Sequence, residues 1–238
     1  MEKICGVISF YLMNSRRTFI IIRTVSNSLI IGSLLFIILA FGPIFNTEIS
    51  YRYRQWRGIT FTLDKTASTA KTASKASTFG LLLGQPTPLH VEPVNRGFSI
   101  VIEKLGVNAP VVKNVNMASY KEYIEALKFG VAQAAGTAVP SESVGNSFLF
   151  AHSALDFWNF GKYAMVFTLL NKLETGDRIV IFYENRRYDY VVFKKEIVKE
   201  FDITPIKRDY NEPILTLQTC DPPGTALNRL IITARLVR

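Results

Sequence analysis

The run ILTLQTCDPPGTALNRLII, from Ile214 to Ile232, decides how this chain is read. Residues 214–219 make a short apolar run of β-type composition that ends at Cys220. A Pro-Pro-Gly turn, Pro222 to Gly224, stops any continuation. A second run, RLIITARL, opens at Arg229, nine residues after Cys220. Consecutive strands joined by a short loop pair antiparallel, and that pairing brings Arg229 beside the thiol. A cysteine serving as a small buried hydrophobe would explain Cys220 alone. It leaves the arginine unexplained.

Outward from this pair, further β-type runs occupy residues 98–103, 109–113, 131–134, 147–152, 178–183 and 187–200. The stretch YENRRY reads as a hairpin with Glu184 and Asn185 near its turn. One amphipathic helix is well signalled: Tyr120, Tyr123, Ile124 and Leu127 share a face, and Gly130 lies just past its end. A weaker helical signal at residues 167–172 ends before Gly176. Eight strands with one or two short helices predict a mainly β domain, closed into a barrel so that no long strand edge is left exposed. This ordered domain is expected over residues 95–238.

Upstream, TVSNSLIIGSLLFIILAFGPIFNT (residues 24–47) carries no charge and exceeds the roughly 20 residues that cross a bilayer as a helix. A secretory signal peptide would pass the same test, but no A-x-A cleavage site follows, so a retained anchor is expected. Lys3, Arg16, Arg17 and Arg23 precede it, which favours a cytoplasmic segment 1–23 and an extracytoplasmic domain. Arg52, Arg54 and Arg57 follow closely and weaken that bias. Residues 48–94 are expected to be a juxtamembrane segment and flexible tether. TASTAKTASKASTFG (66–80) has no apolar stripe to bury, and Pro86, Pro88 and Pro93 follow it.

The totals narrow the chemistry. At 238 residues the chain holds one sizeable domain plus attachments. A hydrophobic share of 48% is high for a purely soluble domain, in keeping with an anchor. The net charge of +9 fits a nucleic-acid binder or a chain lying against an anionic membrane or wall polymer. No zinc spacing, phosphate-binding Gly loop or aromatic-basic RNA signature accompanies it, so no nucleic acid is expected. Cys5 and Cys220 are the only cysteines and His90 and His152 the only histidines. A disulfide framework and a His-rich metal site are therefore excluded, and no cofactor is expected.

What remains is one thiol with one histidine. His90 falls in the Pro-rich tether, whereas His152 ends the run NSFLFAH at a strand's end, so His152 is the expected partner of Cys220. An imidazolium beside sulfur favours thiolate, the nucleophilic form, and can then protonate a leaving amine. Arg229 adds a fixed cation that lowers the thiol pKa and can hydrogen-bond a carbonyl as it becomes an oxyanion. A core histidine and a solvated arginine are the plainer readings of each residue taken singly.

TLQTC with Arg229 nine residues on, preceded by FAHSA, resembles the sortase family of cysteine transpeptidases. EKLGVNAPVV, ALKFGVAQAAGTAVPSESVGNSFLFAHS and LLNKLETGDRIVIF resemble it in the same order, so the similarity covers about residues 98 to 236. The resemblance implies an eight-stranded β-barrel, an N-terminal anchor and an extracytoplasmic catalytic domain. It also implies Cys220 as nucleophile, His152 as general acid and base, and Arg229 as oxyanion and substrate clamp. Thr219 would orient the thiol or contact substrate. The implied substrates are surface proteins bearing a C-terminal sorting signal, and the implied acceptor is an amine of a cell-wall precursor or another protein. Ala151 stands where the family commonly has Gly before the histidine, a change of loop shape between two small residues. An aromatic-capped lid of the pilin-assembling type and a calcium site are not signalled.

Two other readings compete. Another cysteine peptidase is one, although papain-like enzymes place cysteine before histidine and L,D-transpeptidases place Ser-x-Gly before the cysteine. A non-catalytic membrane-tethered β-barrel that binds a surface polymer is the other, and it leaves Cys220, His152 and Arg229 as coincidences.

Overall fold

The computed structural model describes residues 2–63, 89–153 and 163–237. The tether sequence 66–80 lies outside the described residues. The chain divides into two units, Met1–Asn46 and Thr47–Arg238. The first is helical throughout its described length, as the greater part of helix α1, Glu2–Trp56. Within it, Thr18–Leu39 (22 residues, mean hydropathy 1.9, 0% buried) is long and apolar enough to cross a membrane. It overlaps residues 24–39 of the expected anchor and takes in Arg23 just before it.

The second unit begins well before Asn95. Tyr51, on the last turns of α1, is 5% exposed and belongs to the core of the second unit. Glu48 accepts an ion pair from Lys172 at 2.9 Å, and Arg54 donates to the Leu105 carbonyl at 3.3 Å. Strand β1 (Phe61–Thr62) pairs in parallel with β2 (Leu89–His90). His90 thus sits in a short strand pair and not in a mobile linker. Composition hides this: the three aromatics of YRYRQWR are interleaved with charges and make no apolar stripe, and of them only Tyr51 is buried.

Eight further strands close the barrel. They are β3 (Phe98–Ile102), β4 (Val107–Val115), β5 (Val131–Ala134), β6 (Gly145–Phe150), β7 (Arg178–Tyr183), β8 (Arg186–Lys199), β9 (Pro213–Asp221) and β10 (Asn228–Leu236). Their order is β10-β8-β7-β3-β4-β5-β6-β9, with β9 returning to β10. Each matches a run expected from the sequence. Glu184 and Asn185 both take positive φ, 49° and 63°, as a two-residue turn between β7 and β8 requires.

Helix α2 (Tyr120–Phe129) carries the chain from β4 to β5, which makes those strands parallel. Ser119 caps it by accepting from the Glu122 amide at 3.4 Å. Gly130 ends it at φ 155°, where a Cβ would run into the Pro110 carbonyl, so this close approach needs glycine. The weak helical signal before Gly176 is a 3-10 turn at Leu170–Lys172. A short helix α3 (Thr204–Lys207) was not foreseen, its only signal being Pro205 in the first turn. Ile100, Ile102, Leu127, Phe148, Phe150, Ile179, Ile181 and Tyr190 fill the barrel with under 2% exposure. Burial of each such side chain contributes about 1.5–3 kcal/mol.

Candidate active site

Strand β9 lies between β10 and β6, and the site forms along its C-terminal end. On the β10 side, antiparallel register places Cys220 directly opposite Arg229. On the β6 side, parallel pairing runs as far as Phe150 opposite Gln218. The Ala151 amide then donates to the Gln218 carbonyl at 3.2 Å, the last backbone bond from this segment to β9.

Two hydroxyls continue the attachment. Thr219 Oγ1 donates to the Ala151 carbonyl at 2.9 Å, and Ser153 Oγ donates to the Cys220 carbonyl at 3.0 Å. The Gly224 amide donates to the Ser153 carbonyl at 3.0 Å, tying in the turn after Cys220. His152 lies between two residues that are both bound to β9, and its backbone therefore runs alongside Cys220. Its ring meets Tyr123 edge-on, with centroids 6.0 Å apart and planes at 86°. Tyr123, from α2, stacks on Phe150 at 5.3 Å and 7°. The His152 carbonyl accepts from the Phe167 amide at 3.3 Å.

The structure thus gathers Cys220, His152 and Arg229 at one end of the barrel. Thr219 is there too, but it is only 3% exposed and its hydroxyl is spent on Ala151. That placement braces β9 against the histidine segment, with the hydroxyl's one proton already donated.

Cys220 is a free, half-buried thiol. Burial pushes its pKa up; the Arg229 charge opposes this, the Glu200 carboxylate adds to it, and the neighbouring Ser153 hydroxyl lowers it. Tyr123 is pushed up to about 12, first by burial, then by the negative charge at Cys220, with Arg229 acting the other way. Arg229 itself is held on three sides. Nη2 donates to Glu200 Oε1 at 3.0 Å, and Nη1 donates to the Asn228 and Ala226 carbonyls at 3.1 and 3.4 Å.

Sequence reasoning missed Ser153, Tyr123 and Glu200. Ser153 adjoins His152 and could have been noticed on that ground. Tyr123 looked like ordinary helix packing, and Glu200 is brought to the site only by the register between β8 and β10. Among the described residues, no group of three or more His, Cys, Asp or Glu is placed to hold a metal ion.

A profile of the family described as Sortase domain matches residues 100–237, more than half of the chain. The chain belongs to the sortase family. Members of this family are transpeptidases. Sortase SrtE1 of Streptomyces coelicolor is 28% identical over 165 residues, covering 65% of this chain and 44% of that protein. This chain therefore spans less than half the length of that relative. Among solved structures, sortase C of Clostridium perfringens with the C-terminal cell wall sorting motif superposes with a TM-score of 0.50 at 24% identity. That match covers 67% of this chain and 83% of the other. Sortase C-1 of Actinomyces oris superposes with a TM-score of 0.50 at 21% identity, over 83% of this chain and 99% of that one. Both share the barrel fold with the present chain.

Proposed function

We propose that this sortase is a membrane-anchored cysteine transpeptidase that moves an acyl group from a C-terminal sorting signal onto an amine. The observation that carries the proposal is the opposition of Cys220 and Arg229 across β9 and β10, with the His152 segment bound along the other side of β9.

Each residue takes a role its position supports. A thiol raised by burial holds its proton at rest, so the thiolate forms only when a base takes that proton, and His152 is the base. The thiolate attacks a backbone carbonyl of the sorting signal, and negative charge develops on the carbonyl oxygen. Arg229 donates N–H to that oxyanion. As the intermediate collapses, the C–N bond breaks and His152 gives its proton to the departing amine. A thioester on Cys220 remains.

The acceptor amine then attacks the thioester, His152 removes its proton, and the thiolate leaves with the new amide complete. Thr219 and Ser153 hold Cys220 and His152 in mutual register while this happens. The acceptor is an amine of a cell-wall precursor or another protein. The apolar helix would hold the N-terminus in the cytoplasm and the barrel outside, where substrates paused in the same membrane can be met.

The test is transfer itself. The full chain in detergent is incubated with a panel of sorting peptides and an excess of triglycine or a diaminopimelate-containing acceptor, and the products are weighed by mass spectrometry. An amide-linked product is expected. Failure of every peptide to react would remove the proposal.

A further inference from the structure

Arg229 is pinned in a way the thiol does not benefit from. Glu200 follows immediately after β8, one residue beyond the Lys199–Asn228 pair that ends the β8–β10 ladder. From there its carboxylate accepts from Nη2 at 3.0 Å, while Nη1 is fixed by two backbone carbonyls. A guanidinium has five N–H donors. The Nε donor and the second Nη2 hydrogen have no acceptor among the described residues, so the fork is oriented yet still able to bind an oxygen. Arg229's side chain is 18% exposed and that of Glu200 32%, so the pair is partly shielded from water.

The carboxylate works against thiolate formation. Glu200 lies close enough to Cys220 to push its pKa up, while Arg229 pulls it down. A residue selected only to activate the thiol would not be an acid. Orientation of the arginine is the role left to it, since a long flexible side chain carrying about 2 kcal/mol of rotamer entropy needs a fixed partner to stay in one place.

We infer that Glu200 is the positioning residue for Arg229, holding its guanidinium so that two donors remain for the carbonyl oxygen of the substrate. This rests on the reading of the site as acyl-transferring. Arg229 would otherwise swing on its stem, and a misplacement of about 1 Å in a catalytic group can cost about 100-fold in rate. The groups facing Cys220 are Arg229 from β10, Glu200 beyond β8, Tyr123 from α2, and Ser153 with His152 from the segment after β6. Of these, Glu200 is the acid.

Glu200→Ala and Glu200→Gln in the full chain separate the possibilities. Turnover is measured on a sorting peptide selected with the wild-type chain, with triglycine as acceptor; alkylation by iodoacetamide is measured at neutral pH in a Cys5→Ser background. Glu200→Ala is expected to lower kcat about ten- to a hundredfold with a smaller change in KM. Glu200→Gln keeps an acceptor oxygen and should recover most of that loss. It should also alkylate faster than wild type, because the charge opposing the thiolate is gone. That gain reports the charge alone; a merely structural pair predicts a lower Tm with kcat unchanged. Wild-type kcat in Glu200→Ala overturns the inference while leaving the transpeptidase reading intact. If Glu200→Ala does not fold, Glu200→Gln decides: kcat near wild type is expected from the retained acceptor oxygen, and a tenfold or larger loss of kcat in a folded Glu200→Gln overturns the inference. A wild-type chain that transfers no peptide overturns both.

Discussion

Arg229 and His152 approach Cys220 from opposite neighbours of β9, and the two sides are built differently. On the β10 side the backbone ladder runs unbroken through the Cys220–Arg229 pair, from Asn228 opposite Asp221 to Arg235 opposite Ile214. On the β6 side the ladder ends at Phe150, and two hydroxyls complete the attachment. Backbone pairing survives almost any change of side chain. A position set by Thr219 and Ser153 does not. The arginine should therefore tolerate mutation around it, apart from Glu200, whereas the histidine should be sensitive to the loss of single oxygen atoms.

The largest effect is expected at the residue the two sides share. Cys220→Ala should abolish peptide cleavage, whereas Cys5→Ser should leave it intact, measured as release of the C-terminal fragment. Persistent cleavage in Cys220→Ala would move the nucleophile elsewhere and dissolve the comparison.

Next comes the arginine. Arg229→Lys keeps a charge on an unchanged backbone position but loses the planar fork. Loss of one oxyanion donor costs roughly 2.7–4 kcal/mol, or about 100- to 1,000-fold in rate. The effect should fall on kcat with little change in Tm. Near-full activity of the lysine variant would reduce Arg229 to a structural charge.

The histidine side should yield a smaller loss of a different kind. Thr219→Val and Ser153→Ala each delete one hydrogen bond, worth about 1 kcal/mol of stability. Because both bonds hold the same segment, the two substitutions should couple in a double-mutant cycle. Turnover should fall by about tenfold as His152 loses its alignment with the thiol. Additive losses of Tm with unchanged turnover would show that the hydroxyls brace the barrel and nothing more.

The smallest expected effect is a shift in pH dependence. Burial, the largest influence on Cys220, favours the neutral thiol, and Arg229 offsets it only in part. The folded chain should hold that proton to higher pH than an unfolded thiol near the ordinary value of about 8.5. Stability linked to this group is therefore present below the unfolded pKa and falls as pH rises through the folded one. In a Cys5→Ser background, the midpoint of alkylation rate against pH should lie higher for the native chain than for the chain in urea. A lower native midpoint would mean that Arg229 outweighs burial.

Much of this contrast was legible in the sequence. The eight barrel strands are short, strongly apolar and separated by turns, so each run declares itself. Cys220 opposite Arg229 follows from two strands and one short loop. The histidine side was less legible: that Thr219 and Ser153 are braces depends on β6 lying parallel to β9, a pairing between segments more than sixty residues apart. Glu200 was hidden for the same reason, since only the β8–β10 register brings it to Arg229. The docking of Tyr51 was hidden by composition, because Tyr51, Tyr53 and Trp56 alternate with charged and polar residues and nothing in that pattern singles out the one ring that is buried.

The central claim is that the acyl group passes through Cys220 to an amine. Its most direct measurement is intact-mass and peptide-mapping mass spectrometry of the full chain, quenched in acid during reaction with a sorting peptide and triglycine. The account predicts an acyl adduct on the peptide containing Cys220, which disappears as amide-linked product accumulates. An adduct that resolves only to free acid across a broad panel of amines would make the protein a peptidase. Product formed with the adduct on another residue, or with no adduct at all, would contradict the role given to Cys220.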